Sequence, residues 1–317
     1  MTKPTDIVTP EPGVYYDVPF DEYCRWDAVN ASLLKQVAVC PAAALWYMQY
    51  GVEQSDAMKL GRARHHALLE PATFDQHFVV ADGCGAEIKT GERKGQHCGN
   101  SARVCRGGAW YCGTHDPAKG QPSEDAREPI SEADARACRY IRDSVIGHPA
   151  TAAIMGAVDG RNEVSLLWLD LMTGTLCKAR VDRVVPSLNI LFDLKTTGGS
   201  AHPRAVVSAA RRFKWALQAA HYIAGASALA EDLGVDRDEL DFVFCAVGSS
   251  PPNIITPAPM TAGAMDWGEL ERASALQTLD ECETTQHWPG YADGRPVYIE
   301  LSDVEEHEES EAHDEDE

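Results

Sequence analysis

Two aspartates and a lysine on two nearby apolar segments are the residues of this sequence best suited to chemistry. Asp182 ends residues 176–182, and Asp193 and Lys195 lie in residues 190–195. Two carboxylates that meet across adjacent strands repel each other unless a cation lies between them. Carboxylate oxygens are hard ligands that favour Mg²⁺ or Mn²⁺, and an amine beside such an ion can orient or deprotonate an attacking water. The three side chains therefore predict a divalent-metal site for hydrolysis.

Two strands joined by a turn must position these side chains. Both segments are short and apolar, and residues 186–189 between them have the composition of a turn, so the sequence predicts a β-hairpin. Side chains alternate between the two faces of a strand. Asp193 and Lys195 therefore share one face, whereas Phe192 and Leu194 point into the core.

Two further residues are candidates for the same site. Glu163 opens a predicted strand that should pair with the hairpin, and a solvent-exposed acid at a strand end is an equal alternative. His65 shares a stripe of a predicted helix with Gly61, which permits close approach of another backbone. A satisfied core histidine is the alternative for His65. His66, about 100° away around the helix, is its competitor.

A predicted long helix over residues 203–230 carries a polar and aromatic row. Residues spaced three and four apart share a helix face, and here they are Arg211, Trp215, Gln218 and Tyr222. Arg212 and Lys214 flank that row. Core aromatics with solvated basic neighbours are one interpretation. A groove wall that contacts phosphates and stacked bases fits the row better, and it predicts DNA contacts by Arg211, Arg212 and Lys214.

Composition limits this interpretation. The chain has 317 residues, 44% of them hydrophobic, which is enough for one large core or for a core with an appended module. Its formal net charge of −21 argues against general nucleic-acid affinity, because phosphate binding needs Lys and Arg. Residues 302–317, however, hold ten acids and no Lys or Arg. We predict that this acidic tail is disordered and acts either as a solubilising segment or as a phosphate mimic that blocks a basic groove.

The sequence also predicts a cytoplasmic protein. No apolar run is long enough to span a bilayer, and the first residues lack the apolar stretch of a secretory signal. The ten cysteines are therefore expected to be reduced.

Residues 81–129 are rich in glycine, cysteine and charge, with little apolar periodicity, so they predict an insertion in the main fold. The residues expected to bind a structural zinc ion are Cys84, Cys98, Cys112 and His115, with Cys105 and His97 as competitors. A segment this short cannot bury a core, so a metal would supply its folding energy. A flexible loop with incidental thiols is the alternative. The segment is also locally basic, which favours phosphate contact, with protein docking as the rival; its basic residues are Lys89, Arg93, Lys94, Arg103 and Arg106.

The order of the predicted elements indicates the fold class. Besides the hairpin and the long helix, predicted helices cover 33–39, 42–50, 55–69, 131–146 and 265–283, and predicted strands cover 163–170, 241–248 and, at an edge, 297–301. Residues 13–24 are predicted to form an extended lead-in. Strands clustered between helices predict an α/β fold with a mixed central β-sheet flanked by helices.

Taken in order, these motifs resemble the PD-(D/E)XK nuclease superfamily and, within it, the RecE-type (exonuclease VIII-like) phage exonucleases. The matching segments are 13–16, 30–35, 40–42, 61–71, 177–183, 193–197 and 218–222, together with Glu163, Ser165 and Trp168. They extend over most of residues 13–250 apart from the insertion. Val181 stands where the family's name implies a proline before the first aspartate.

The resemblance implies a role for each site residue. The implied metal ligands are Asp182, Asp193, Glu163, His65 and the backbone carbonyl of Leu194. Lys195 would position the attacking water, and Gln218 and Tyr222 would brace the site or the DNA end. The implied domains are an N-terminal helical part of the nuclease (1–80), the zinc-binding insertion (81–129), the nuclease core (130–301) and the acidic tail (302–317).

The resemblance also implies an activity. The implied enzyme is a Mg²⁺- or Mn²⁺-dependent exodeoxyribonuclease that resects duplex DNA. It would form a toroidal homo-oligomer and work with a single-strand annealing protein, in phage-type recombination in a bacterial cytoplasm. A catalytically silent DNA-binding or partner-recruiting protein on the same fold is one alternative. A RecB-like nuclease acting on single strands is another.

Overall fold

Helices cover both faces of a six-stranded sheet in this protein. The structure is a computed structural model, and it describes residues 9–51, 55–81, 83–292 and 294–298. The predicted class, an α/β fold with a mixed central sheet flanked by helices, is confirmed. Within those described ranges, no helix is both long enough and apolar enough to cross a membrane.

The strands of the described residues form one large sheet and two small ribbons. They are β1 (Gly13–Tyr15), β2 (Phe78–Val80), β3 (Val104–Arg106), β4 (Ala109–Tyr111), β5 (Glu128–Ile130), β6 (Arg161–Leu169), β7 (Leu176–Val185), β8 (Ile190–Thr197), β9 (Asp241–Gly248) and β10 (Ile255–Pro259). The central sheet has the order β1-β6-β7-β8-β9-β10, in which β8 and β9 are parallel and the other neighbours are antiparallel. β2 pairs with β5 in parallel, and β3 pairs with β4 in antiparallel fashion.

Six of the described helices begin within three residues of a predicted start, whereas residues 20–24, within the segment predicted to be extended, belong to a helix. They are α1 (Phe20–Arg25), α2 (Ala31–Val37), α3 (Pro41–Tyr50), α4 (Asp56–Leu69), α5 (Phe74–His77), α6 (Glu132–Gly147), α7 (Ala152–Gly156), α8 (Pro203–Arg212), α9 (Trp215–Ala228), α10 (Ala230–Leu233) and α11 (Ala262–Thr285). The side chains of Asn30, Ser55 and Ser131 accept hydrogen bonds from the backbone N–H groups three residues later, at 2.9, 3.2 and 3.1 Å. These caps satisfy donors that a helix start would otherwise leave unpaired.

One hydrophobic core lies on each face of the sheet. Leu191 of β8 belongs to the core that includes Leu217 of α9. Phe192 and Leu194 belong to the opposite core, with Ile141 of α6. Both are fully buried, so the prediction that they point inward is confirmed. The alternation leaves Asp193 and Lys195 together on the first face.

The two strands of the hairpin diverge inside the sheet. β7 and β8 pair over three residues, and the last pair is Arg183–Phe192. From there β7 continues beside β6, and β8 continues beside β9. A gap therefore opens between β7 and β8, and the first residues along it are Asp182 and Asp193.

The prediction of one long helix over residues 203–230 is wrong, because α8 and α9 are separate helices. Lys214 between them has a left-handed backbone, with φ of +49°, and this interrupts the helical hydrogen-bonding pattern. The break lets α9 begin with a buried Trp215 whose ring centroid lies 4.9 Å from that of Phe244. Arg211 therefore does not share a helix face with Trp215.

The other differences lie near the end of the chain. The sequence pattern misses β10, which contains two prolines and lies at the sheet edge, where proline is tolerated. The predicted edge strand at 297–301 falls mostly outside the described residues, and 297–298 form no strand. The acidic tail at 302–317 lies outside the described residues altogether.

Gly268 lies where α11 packs against α9, and we expect Gly268→Ala to destabilise the fold by about 1–3 kcal/mol. A Cβ at Gly268 would lie 2.2 Å from the backbone oxygen of Ala216, which cannot move without shifting α9. Gly263 is the matched control in the same helix, since a Cβ there meets nothing within 4 Å. Urea denaturation should show a lower free energy of unfolding for Gly268→Ala alone. An equal loss in Gly263→Ala would contradict this account.

Candidate active site

Strand register brings three carboxylates into one row. Glu163 of β6 lies opposite Asp182 of β7, between the pairs that the two strands form on either side of it. Asp193 of β8 lies one step beyond the Arg183–Phe192 pair, which places it across the gap from Asp182. Glu163 has a left-handed backbone, with φ of +53°, so β6 bends at this point. A strained residue of this kind costs free energy and is often found at a functional site.

Asp182 is the centre of this row. Its Oδ2 lies 3.2 Å from Nδ1 of His65 on α4 and accepts the backbone N–H of Leu194 at 2.7 Å. One donor atom each of His65, Glu163 and Asp182 lies within 4.8 Å of the others. His66 instead lies 3.4 Å from Glu70, so the structure places His65, the preferred histidine, at the carboxylates.

Asp193 is oriented by two polar side chains. Nζ of Lys195 lies 2.6 Å from Oδ1 of Asp193, and Nε2 of Gln218 on α9 donates to Oδ2 at 2.7 Å. Asp193 is not part of the His65, Glu163 and Asp182 group. Shared metal binding by Asp182 and Asp193, and a ligand role for the Leu194 carbonyl, therefore stay predictions.

Burial and neighbouring charges both shift the pKa values of the site residues, and for His65 and Asp182 they act in opposite directions. Burial by itself lowers the pKa of His65, but the adjacent Asp182 outweighs it and raises that pKa to about 9. Burial by itself raises the pKa of Asp182, yet His65 holds it below its ordinary value. Burial raises the pKa of Glu163 and of Asp193, and Asp182 adds to both. The carboxylate of Asp182 therefore favours a positive charge beside it, which the imidazole of His65 can provide by binding a proton.

The donor set fits a hard divalent cation. Mg²⁺ is commonly held by one or two carboxylates and keeps several waters, and carboxylates also suit Mn²⁺. Asp182 and Glu163 would supply the carboxylates, and His65 an imidazole nitrogen. Bound there, the ion would polarise a phosphate and lower the pKa of a water.

Lys35 is a site residue that sequence reasoning missed. Its Nζ donates to Oε1 of Gln218 at 2.7 Å, which extends the chain of contacts from Asp193. Leu34 of α2 and Leu217 of α9 belong to the same core, and this packing places Lys35 beside Gln218. The lysine and the glutamine are 183 residues apart, so spacing could not connect them. The available signal was a lysine on the apolar stripe of α2, four residues after Ala31.

Arg180 is the second residue missed. Its Nε donates to Oε2 of Glu163 at 2.5 Å, and its Nη1 donates to the carbonyl of Val18 at 2.7 Å. Arg180 thereby ties the third carboxylate to the lead-in before α1. The signal was its place two residues before Asp182 on one strand, since such residues share a face.

Replacing Lys35 by methionine is expected to lower kcat of the predicted hydrolysis by about 10–100-fold, the usual effect of losing a group that orients a metal-site residue. The KM for the substrate should change little, because Lys35 reaches Asp193 through Gln218. Lys35→Arg keeps a donor and should recover most of the rate. Steady-state kinetics of both variants checks this, and an equal loss in both, or a change in KM alone, would contradict a positioning role.

Only two of the three basic residues predicted to contact DNA are exposed at the surface. Arg211 and Arg212 near the end of α8 are exposed. Lys214 is instead held by Glu271 of α11, with Nζ and Oε1 2.6 Å apart. Tyr222 is half-buried on α9, and burial, reinforced by Asp193, raises its pKa well above the ordinary value. Its hydroxyl therefore stays protonated and remains a hydrogen-bond donor.

A second group of possible ligands lies in the insertion. The residues with donor atoms all within 4.8 Å of one another are Cys84, Cys98, Cys112 and His115. The competitors are elsewhere: Nδ1 of His97 lies 2.7 Å from the carbonyl oxygen of Gly85, and Cys105 is not in the group. Arg106 does not belong to a basic surface as predicted, because it is buried and forms a two-pronged ion pair with Asp116 at 2.9 and 3.0 Å.

Comparison with known proteins places this geometry in a wider group. Residues 30–299 match the family described as a PDDEXK-like domain of unknown function (DUF3799). A crystal structure from Eubacterium rectale, described as a "putative exonuclease" and determined at 2.19 Å, superposes with a TM-score of 0.50 and 12% sequence identity. The superposition covers 92% of this chain and 98% of that chain. No curated protein sequence matches. At this identity the structural likeness concerns the fold alone.

Proposed function

Because the chain belongs to the PDDEXK-like family that its residues 30–299 match, we propose that it is a metal-dependent exonuclease that hydrolyses DNA from duplex ends. Family and fold support a hydrolytic nuclease, for which DNA is the substrate. One observation carries the proposal: Asp182 lies between Glu163 and Asp193 at the point where two strands diverge, with His65 and Lys195 beside the carboxylates.

The residues divide the work of hydrolysis. Asp182, with His65 and Glu163, would hold Mg²⁺ or Mn²⁺, which supplies Lewis-acid activation of the phosphate. Lys195 holds its amine against Asp193 and would orient the attacking water or take its proton. Keeping a water fixed at the reacting phosphate converts a bimolecular encounter into a positioned reaction.

Substrate binding would use Arg211 and Arg212, since both are exposed near the start of α9. A local basic lining is enough for an acidic protein to act on DNA if the DNA is also held by the shape of the assembly. The resemblance supports such an assembly, a ring-shaped homo-oligomer. It also supports a single-strand annealing partner in phage-type recombination within a bacterial cytoplasm.

Three DNA substrates test the proposal. With Mg²⁺, an end-labelled linear duplex should be degraded from its ends, whereas a closed circular duplex should persist and a single strand should be cut more slowly. EDTA and the Asp193→Ala variant are the controls, and both should abolish degradation. Cutting of single strands in preference to duplex would favour the RecB-like alternative. Binding of DNA without cutting under any divalent cation would favour the catalytically silent one.

A further inference from the structure

We propose that Cys84, Cys98, Cys112 and His115 bind one structural zinc ion that folds the inserted module, defined here as residues 83–127. This proposal does not rest on the nuclease activity. Three cysteines and a histidine are a common ligand set of structural zinc sites. Four protein ligands close the coordination sphere, so the ion would hold structure and leave no position for a substrate.

The distances within the cluster are those that one tetrahedral ion requires. Nδ1 of His115 lies 3.6 Å from Sγ of Cys84 and 3.5 Å from Sγ of Cys112. Zinc–sulfur bonds of about 2.3 Å and zinc–nitrogen bonds of about 2.0–2.1 Å at tetrahedral angles give a sulfur–nitrogen separation of about 3.5–3.6 Å. One ring nitrogen offers a single proton or a single lone pair, so it cannot satisfy two thiols directly. An ion at the centre satisfies all of them.

The backbone of the module is arranged to bring these ligands together. Cys84 and Cys98 belong to one loop. In it, the N–H of Cys84 donates to the carbonyl oxygen of Asn100 at 2.7 Å, and the N–H of Gly99 donates to the carbonyl oxygen of Cys84 at 3.2 Å. Cys112 directly follows β4 of the β3–β4 hairpin. The two parts meet where the N–H of Gly85 donates to Trp110 at 2.9 Å.

A glycine at position 83 is required by this arrangement. Gly83 has φ of +93°, and a Cβ there would lie 2.9 Å from the backbone oxygen of Gly99. Residues other than glycine rarely adopt this backbone conformation. A side chain at position 83 would also push apart the loop that holds Cys84 and Cys98.

The module has almost nothing else to fold around. Its apolar cluster consists of the three cysteines themselves with the half-buried Ala86 and Tyr111. Such a cluster buries too little apolar surface to offset the entropy of ordering the chain. Metal binding contributes folding free energy directly in small domains of this kind. The buried Arg106–Asp116 ion pair would add order, but pairs of this kind contribute little net stability.

The module is joined to the nuclease fold at its base. Its two ends continue into β2 and β5, which pair in parallel. Glu128 of β5 accepts two hydrogen bonds from Arg62 of α4 at 2.6 and 2.8 Å, and α4 also carries His65. Loss of zinc should therefore unfold residues 83–127 and leave the central sheet intact.

Metal analysis of the full-length chain, purified without added metal, tests the proposal. We expect about one zinc per chain, and the same content in Asp182→Asn, because the carboxylate site is separate. Cys112→Ser should lose the zinc. Cys105→Ser is the matched control, since Cys105 is a buried cysteine of the same module outside the cluster, and it should keep the zinc. Loss of zinc from Asp182→Asn but not from Cys112→Ser, or an unaltered chain whose residues 83–127 are folded without zinc, would overturn the proposal.

A second measurement uses the unaltered chain, so it does not depend on the folding of a variant. A chelator should expose Cys84, Cys98 and Cys112 to alkylation, as mapped by peptide mass spectrometry. Cys177 and Cys245, which lie fully buried in the central sheet, should stay protected. Alkylation of the three module thiols at the same rate with and without chelator would also overturn the proposal.

Discussion

An Asp182→Asn chain is expected to hydrolyse DNA about 10³-fold more slowly than the unaltered chain at saturating Mg²⁺. Activation of a phosphate by a bound cation contributes several kcal/mol, and each 1.36 kcal/mol is a tenfold change in rate. Asp182 lies within contact distance of His65 and opposite Glu163, so an ion held by this group of side chains would be bound by Asp182. Asparagine keeps the shape and can still accept the Leu194 N–H, but it lacks the charge that holds the ion.

The control for this variant is an aspartate outside the site. Asp241 is exposed at the start of β9, and Asp241→Asn should leave the rate unchanged. The two variants are compared by their initial rates on end-labelled duplex DNA, measured at equal concentrations of folded protein. Asp182→Asn that keeps more than about a tenth of the rate would contradict a metal-ligand role.

Replacing Lys195 by methionine is expected to lower kcat by about 10²–10³-fold, a usual range for losing a general base or a group that positions water. Nζ of Lys195 lies 2.6 Å from Asp193 and 5.5 Å from the centre of the Phe244 ring, so the amine is held in one place. Methionine fills a similar space without a charge. DNA affinity, measured with Ca²⁺ to prevent cutting, should be retained, because the lysine acts on the reacting water.

Lys195→Arg separates the two possible roles of the amine. Arginine keeps a cation beside Asp193 but cannot give up its proton in a protein. Recovery of the rate by arginine would indicate that the charge orients the water. Failure to recover, with the same melting temperature, would indicate proton transfer. A methionine variant within tenfold of the unaltered rate would contradict either role.

Local patterns explain why parts of the fold could be predicted from the sequence. The hairpin that carries Asp182 and Asp193 consists of two short apolar segments joined by residues 186–189, which have the composition of a turn, and both signals depend only on neighbouring residues. The helix starts at Asn30, Ser55 and Ser131 follow from capping chemistry of the same local kind. β9 lies where its apolar run predicts.

Features that depend on distant pairing could not be predicted in this way. The gap between β7 and β8 exists because each strand pairs with a different neighbour beyond Arg183 and Phe192. The break between α8 and α9 depends on how Trp215 packs against the sheet. The contact from Lys35 through Gln218 joins two helices that are far apart in the chain.

The insertion illustrates both situations. Its cysteines and histidine stand out by type in a segment with little apolar content, and the structure groups the four that this reasoning preferred. The basic residue Arg106 is buried instead against Asp116, because its guanidinium also donates to the carbonyl oxygens of the segment that covers it, those of Ala118, Gln121 and Pro122. Counting charges in a sequence cannot show which of them face the solvent.

The most direct test of the account is anomalous diffraction from crystals soaked in Mn²⁺. We predict a peak within ligand distance of the Asp182 carboxylate, with Glu163, His65 or Asp193 completing the coordination, and its loss in Asp182→Asn crystals. A protein that remains folded and shows no Mn²⁺ at Asp182 would contradict the assignment of this site as the metal centre of a nuclease.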